Sequence, residues 1–193
     1  MVADLKWHAM RVEDYLQLEK ASTEARHEFL DGQLLMMSGG TIAHARIALN
    51  IAKLLDAAVG DSPCHVYTSD VRVQLSVERY VYPDVSVSCE ASDHQDLADT
   101  IHSPRLIIEV LSPTTEAYDR GKKFICYQEC ATIQEYVLVN SRYQSVEVFR
   151  RNETLWTYQR FEPHQEIELI SLNLYIPFAS IYERVSIPLT EEH

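Results

Sequence analysis

The run Pro104-Arg105-Leu106-Ile107-Ile108-Glu109-Val110-Leu111 constrains this chain more than any other segment. Side chains alternate between the two faces of a strand, and here Leu106, Ile108 and Val110 fill one face while Ile107 and Leu111 fill the other. A strand apolar on both faces is one covered by helices on both sides. A helical pattern follows from about Thr115 to Cys130, and then a second apolar run, Tyr136-Val137-Leu138-Val139. Two buried strands joined by a helical crossover pair in parallel within one sheet. The expected fold class is therefore α/β, with a mixed central β-sheet flanked by helices.

Around that unit the periodicities predict further elements. A short helix is expected over about Val12 to Lys20, and the Asp31-Gly32 pair between apolar runs is a hairpin signal. Thr41 is a helix cap before Ile42, Ala45, Leu49, Ala52 and Leu55, which approximate the helical period. Val71 to Val77 alternates as a half-buried strand, and Tyr82 to Ser88 is read as another. Beyond the crossover, Ser145 to Arg150 and Leu155 to Phe161 form an antiparallel pair. Glu166 to Leu172 is a strand, and Phe178 to Tyr182 one helical turn. With 193 residues and no repeat or linker, a single domain over 1–193 is expected, its core at about 41–140 with β extensions at both ends.

Glu109 is the chemical anomaly in this pattern. A carboxylate within an apolar strand costs several kcal/mol, to order of magnitude, unless a cation or hydrogen bonds satisfy it. In Tyr82-Pro83-Asp84-Val85, Asp84 is a second carboxylate on a neighbouring strand. Hard cations such as Mg2+ bind one or two carboxylates plus water and substrate phosphate, so the pair is a candidate metal site. On the following helix Asp119 and Lys123 lie four apart, with Tyr127 continuing the face. They form either a solvated ion pair or a group pointing back at the strand ends, where Lys122 and Lys123 are equivalent by pattern.

These residues resemble the Uma-type restriction endonuclease family of the PD-(D/E)XK nuclease superfamily. The resemblance rests on Tyr82-Pro83-Asp84-Val85, on Leu106 through Thr115, on Asp119-Arg120-Gly121-Lys122-Lys123 with Tyr127, and on Glu135-Tyr136. Glu28-Phe29-Leu30-Asp31-Gly32, Met37-Ser38-Gly39-Gly40 and His44 extend it, so that it runs from about residue 10 to 180. It implies a restriction-endonuclease-like core with extra antiparallel hairpins, and Mg2+- or Mn2+-dependent hydrolysis of nucleic-acid phosphodiesters, with DNA the expected substrate. Asp84 matches the motif's aspartate and Glu109 its acidic partner. The motif lysine belongs two residues later, where Leu111 stands, and Lys123 inherits its role from the adjacent helix. Glu28 is implied as a further acidic or orienting group, His44 as a phosphate or site contact, and Asp119 or Tyr127 as supports for Lys123.

A formal net charge of −12 opposes nucleic-acid binding, which rests on cations neutralising phosphates. Arg120, Lys122 and Lys123 are the local basic cluster that offsets it. The acidic balance and Leu111 together support an alternative, a non-catalytic nuclease-fold module that binds DNA or a protein partner. A hydrolase of smaller phosphodiesters is a third reading. No phosphate loop, zinc helix or nucleophile elbow is present in the sequence, and Trp7, Trp156 and the 11 tyrosines form no spaced stacking platform. No membrane span and no secretory leader are read from the sequence, and a cytoplasmic location is expected. Cys64, Cys89, Cys126 and Cys130 are accordingly expected as free thiols. The edge strands of the C-terminal hairpin lead us to expect a homodimer.

Overall fold

The computed structural model describes residues 10–37 and 39–191; Trp7 and Ser38 lie outside the described residues. Helix α1 (Val12–Ala21) precedes the hairpin of β1 (His27–Leu30) and β2 (Gln33–Met36). Asp31 and Gly32 turn that hairpin at φ 52° and 83°, the left-handed pair that a two-residue turn between twisted strands requires. Helix α2 (Ile42–Val59) starts where the Thr41 side chain accepts the His44 backbone N–H at 3.2 Å. Strands β3 (His65–Thr68), β4 (Arg72–Ser76), β5 (Arg79–Val81), β6 (Val85–Ser88), β7 (Thr100–Ile101) and β8 (Pro104–Leu111) follow. The crossover helix is α3 (Glu116–Tyr118), a π turn over Asp119–Lys123, and α4 (Phe124–Glu129). Strands β9 (Glu135–Asn140), β10 (Val146–Asn152), β11 (Leu155–Phe161), β12 (Glu166–Leu169) and β13 (Leu174–Pro177) lead to α5 (Phe178–Ile181).

A six-stranded sheet in the order β11-β10-β9-β8-β6-β3 is the backbone of the molecule. β8 and β9 pair in parallel, as the crossover predicts, and every other neighbour in that sheet is antiparallel. A second sheet, β2-β1-β5-β4-β7, gathers the N-terminal hairpin, and β12 pairs with β13. Leu106, Ile108 and Val110 of β8 pack with Ile47, Ile51 and Leu55 of α2. Ile107 and Leu111 pack on the opposite face with Cys126 and Tyr127 of α4. Each such side chain removed from water stabilises the fold by about 1.5–3 kcal/mol, so the helices are held on both faces by the double apolar pattern of this one strand.

Four expectations need correction. Tyr82 to Ser88 is a strand only from Val85: Tyr82-Pro83-Asp84 is the link that carries the chain from β5 in the second sheet to β6 in the first. Pro83 has no N–H for a ladder, and the Tyr82 N–H is taken by Glu28 at 3.0 Å, so neither residue continues the pairing. Between α2 and the crossover helix stand six strands in two sheets rather than three in one. The stretch 166–172 is a strand only to Leu169 and then a 3-10 turn. Cys64 and Cys89 are not free thiols but a disulfide. The β3–β6 register sets His65 opposite Ser88, which brings the next residue of each strand face to face across 25 positions of sequence. Cys126 and Cys130 are free and buried, as expected.

Candidate active site

Glu109 lies near the end of β8, 4% exposed. Two neighbours satisfy it: the Tyr127 hydroxyl donates to its Oε1 at 2.6 Å, and Lys123 Nζ stands 2.7 Å from the same atom. Burial pushes its carboxyl up to about 8, against the pull of Lys123 and with the push of Asp119, Asp84 and Glu28. Glu109 is thus a carboxylate whose charge the protein only partly compensates.

Asp84 reaches the same place from the link between the sheets. Its Oδ2 accepts the Val110 N–H at 2.8 Å, which ties the link to β8 one residue past Glu109. His44, in the first turn of α2, places Nε2 3.3 Å from Asp84 Oδ2. Burial opposes the His44 charge, but Asp84 together with the Val110 backbone and Asp119 outweighs it and the imidazole pKa is raised. The break at Pro83 is what lets Asp84 leave its ladder and face β8.

Lys123 closes the site from the crossover helix. Its ammonium lies 2.8 Å from Glu28 Oε1, 2.7 Å from Glu109 Oε1 and 3.8 Å from Asp119 Oδ1. Burial disfavours this charge, yet Glu109, Glu28 and Asp119 together hold its pKa well above the ordinary value. Lys123 is the last residue of the π turn; such turns insert a residue into a helix and recur at functional sites. The turn puts Asp119 and Lys123 inward, both buried, and burial raises the Asp119 carboxyl.

The structure therefore brings Asp84, Glu109, Lys123, Glu28, His44, Asp119 and Tyr127 together, all but Tyr127 lining one cavity of about 310 Å³. It also separates the two lysines: Lys122 is outside the cavity, where its Nζ donates to Gln33 Oε1 at 2.7 Å. The basic cluster is not one patch, because Arg120 pairs with Glu116 and Glu147 while Lys123 is buried among carboxylates. Sequence reasoning missed Tyr118, whose hydroxyl donates to Glu28 Oε2 at 3.2 Å. Its position directly before Asp119 was the available signal. Glu28 stands as a partner of Lys123 across 95 positions, a pairing no local pattern announces.

Chemically the cavity is a hard-oxygen site with an excess of negative charge: four carboxylates face Lys123 and the His44 ring. Among the described residues no group of three or more His, Cys, Asp or Glu side chains converges as a metal cage. The donor set still suits a hard divalent cation, which takes one or two carboxylates and completes its shell from water and phosphate.

A family model described as "Putative restriction endonuclease", Uma2, matches residues 12–181. The chain belongs to the Uma2 family. An uncharacterized protein of Synechocystis sp. is 35% identical over 88% of this chain and 90% of its own. A second from the same organism is 34% identical over 72% of this chain and 78% of its own. Among solved structures, one titled a putative nuclease belonging to DUF820 from Anabaena variabilis superposes with a TM-score of 0.74 at 19% identity. It covers 89% of this chain and 96% of that one. This Uma2 chain therefore has the restriction-endonuclease-like fold expected from its sequence. None of its described helices is long and apolar enough to cross a membrane.

Proposed function

We propose that this chain is a Mg2+- or Mn2+-dependent endonuclease that hydrolyses phosphodiester bonds of DNA, in a cytoplasmic setting. The observation that carries the reading is the convergence of Asp84 and Glu109 on one cavity, with Lys123 at 2.7 Å from Glu109. Asp84 and Glu109 would hold the ion, which when bound supplies Lewis-acid stabilisation of charge on the phosphoryl group and an acidified water. Everything else falls to the side chains. Lys123 donates to the attacking water or to a phosphate oxygen. Glu28, Asp119 and Tyr127 fix its position and that of Glu109. His44, held by Asp84, presents its ring to the scissile phosphate.

The test is calorimetric titration of Mn2+ and Mg2+ into the wild type and Asp84→Ala. Saturable binding to the wild type and its loss in the variant is the expected result. A cleavage assay on polynucleotide and on small phosphodiesters then separates the two substrate classes. Retained metal binding or retained cleavage by Asp84→Ala would sink the assignment.

A second reading, a binding module on the same fold, draws on Lys123 lying between Glu28 and Glu109, where its ammonium compensates their charge without metal. It predicts no metal binding at millimolar concentrations with or without substrate.

A further inference from the structure

The cavity that holds Asp84, Glu109 and Lys123 is charged where it is buried and apolar where it opens. The apolar rim comes from the first hairpin. Leu35 stands opposite Glu28 in the β1–β2 register, and cross-strand partners project to the same face. Leu35 therefore shares the face from which Glu28 meets Lys123. Met37 lies two residues on and repeats that face; its N–H donates to the Arg26 carbonyl at 2.9 Å, which extends the ladder to it. Leu35, Met36 and Met37 all line the cavity. The hairpin has its core residue in Leu34, which packs with Tyr15, Phe29 and Tyr80. Leu35 and Met36 are instead 36% and 70% exposed, and among the described residues neither they nor Met37 join an apolar cluster. The crossover helix adds an aromatic ring, Tyr118, to the same cavity.

We propose that this rim receives the base of an unpaired nucleotide, so that the substrate is single-stranded DNA rather than a duplex. The inference rests on the nuclease reading and narrows its substrate. Depth is the first support. Glu109 and Lys123 are buried, and a phosphate reaches them only by entering the cavity with its sugar and base. Size is the second. A volume of about 310 Å³ lies at the small end of ligand pockets, about 300–1,000 Å³, and admits one nucleotide but not a base pair with two backbones. A paired base must leave its stack to follow its phosphate inward, a cost that a single strand largely escapes.

Charge is the third support. A duplex carries a phosphate about every 1.7 Å of its axis and a single strand about half as many. A chain of net charge −12 therefore repels the duplex more strongly. Stacking holds a base without any cation, and the uncovered side chains of Leu35 and Met37, with the Tyr118 ring, offer that kind of contact beside the one lysine of the cavity.

The test is fluorescence anisotropy with Ca2+ as the divalent ion, using a labelled oligothymidylate alone and annealed to its complement. The wild type is compared with Leu35→Ser, Met37→Ser and a control, Leu155→Ser, at an exposed position on the outer strand of the six-stranded sheet. The single strand is expected to bind the wild type at least tenfold more tightly than the duplex. Each rim variant is expected to weaken single-strand binding about fivefold or more, the lower end for a lost base-stacking contact, and the control to match the wild type. Equal or tighter duplex binding, or rim variants that hold the single strand as the wild type does, would overturn the inference. Should a rim variant fail to fold, the wild-type preference between the two DNA forms decides the matter. Calorimetric titration of Mn2+ into the same wild-type protein keeps two failures apart. A chain that binds metal without preferring single strands loses the rim assignment alone, whereas one that binds neither metal nor DNA loses the nuclease reading and this inference with it.

Discussion

Glu109 shows why one residue within a strand can be read as chemistry. Its neighbours are apolar on both faces, so the carboxylate has no packing reason to be there, and in the structure it draws Lys123 and Tyr127 to itself. Its carboxyl, raised to about 8 from an ordinary 4.5, makes the first prediction. Between those values the folded chain holds a proton that the unfolded chain has released, so stability is full below about pH 4.5 and is lost as pH rises through 8. The raised pKa values of Asp119 and His44 act in the same direction. On the proposed reading metal binding would displace the Glu109 proton, so affinity is expected to climb toward a tenfold gain per pH unit below about 8 and to level above it. Chemical denaturation and calorimetry from pH 5 to 9 check both trends. Glu109→Gln is expected to flatten the stability profile, and an unchanged slope in that variant would assign the effect elsewhere. Asp84, Glu109 and Lys123 were legible as residues of the cavity because each breaks a local pattern or matches a motif. Tyr118 and the Glu28–Lys123 contact were not, since both depend on distant segments meeting across two sheets.

At the scale of elements, helices and hairpins with a capping or turn residue were read closely: Thr41 caps α2, and Asp31-Gly32 turns the first hairpin. The failures share one cause. A strand's hydrophobic alternation does not record which sheet it joins, so the link Tyr82-Pro83-Asp84 was read as part of β6 and the three-residue β5 went unread, although Pro83 marks the point where the chain changes sheets. Likewise β3 and β7, at four and two residues, are too short to show a period. The entrance to α2 offers a test of how an element aims a side chain. A Cβ added at Gly40 would come within 2.7 Å of His44 Nδ1 and 2.8 Å of its Cγ, whereas one at Gly39 meets nothing within 4 Å. Gly40→Ala must therefore swing the His44 ring, and the ring's contact with Asp84 does most to raise its pKa against burial. The expected result is a lower His44 pKa by NMR titration in Gly40→Ala and an unaltered one in Gly39→Ala. Equal values in both variants would mean that the glycine serves the loop and not the histidine.

On the scale of the whole molecule the acidic balance and the site must be reconciled. Among the described residues ten lysines and arginines stand within ion-pair distance of a carboxylate, and Lys123, the only described lysine or arginine lining the cavity, is buried among three carboxylates. Sequence alone counted Arg120, Lys122 and Lys123 as one basic patch because they are adjacent in the chain. The helix turns them to three different partners. On the proposed nuclease reading few phosphates would meet free cations, and a nucleic-acid substrate would be held through the metal and through uncharged contacts. Since the logarithm of affinity falls with the logarithm of salt by about 0.9 per phosphate neutralised, DNA binding in Mg2+ or Ca2+ is expected to show a slope no steeper than about −2. Fluorescence anisotropy across a salt series at fixed metal concentration measures it. A slope near −5 or steeper would reveal a cationic track outside the cavity, and the exposed Arg46 and Lys53, seven residues apart along α2 and so on one face, would be the first residues to neutralise. A shallow slope together with metal-dependent affinity would instead explain how a chain of net charge −12 can act on a polyanion: the divalent ion supplies the positive charge that the protein surface lacks.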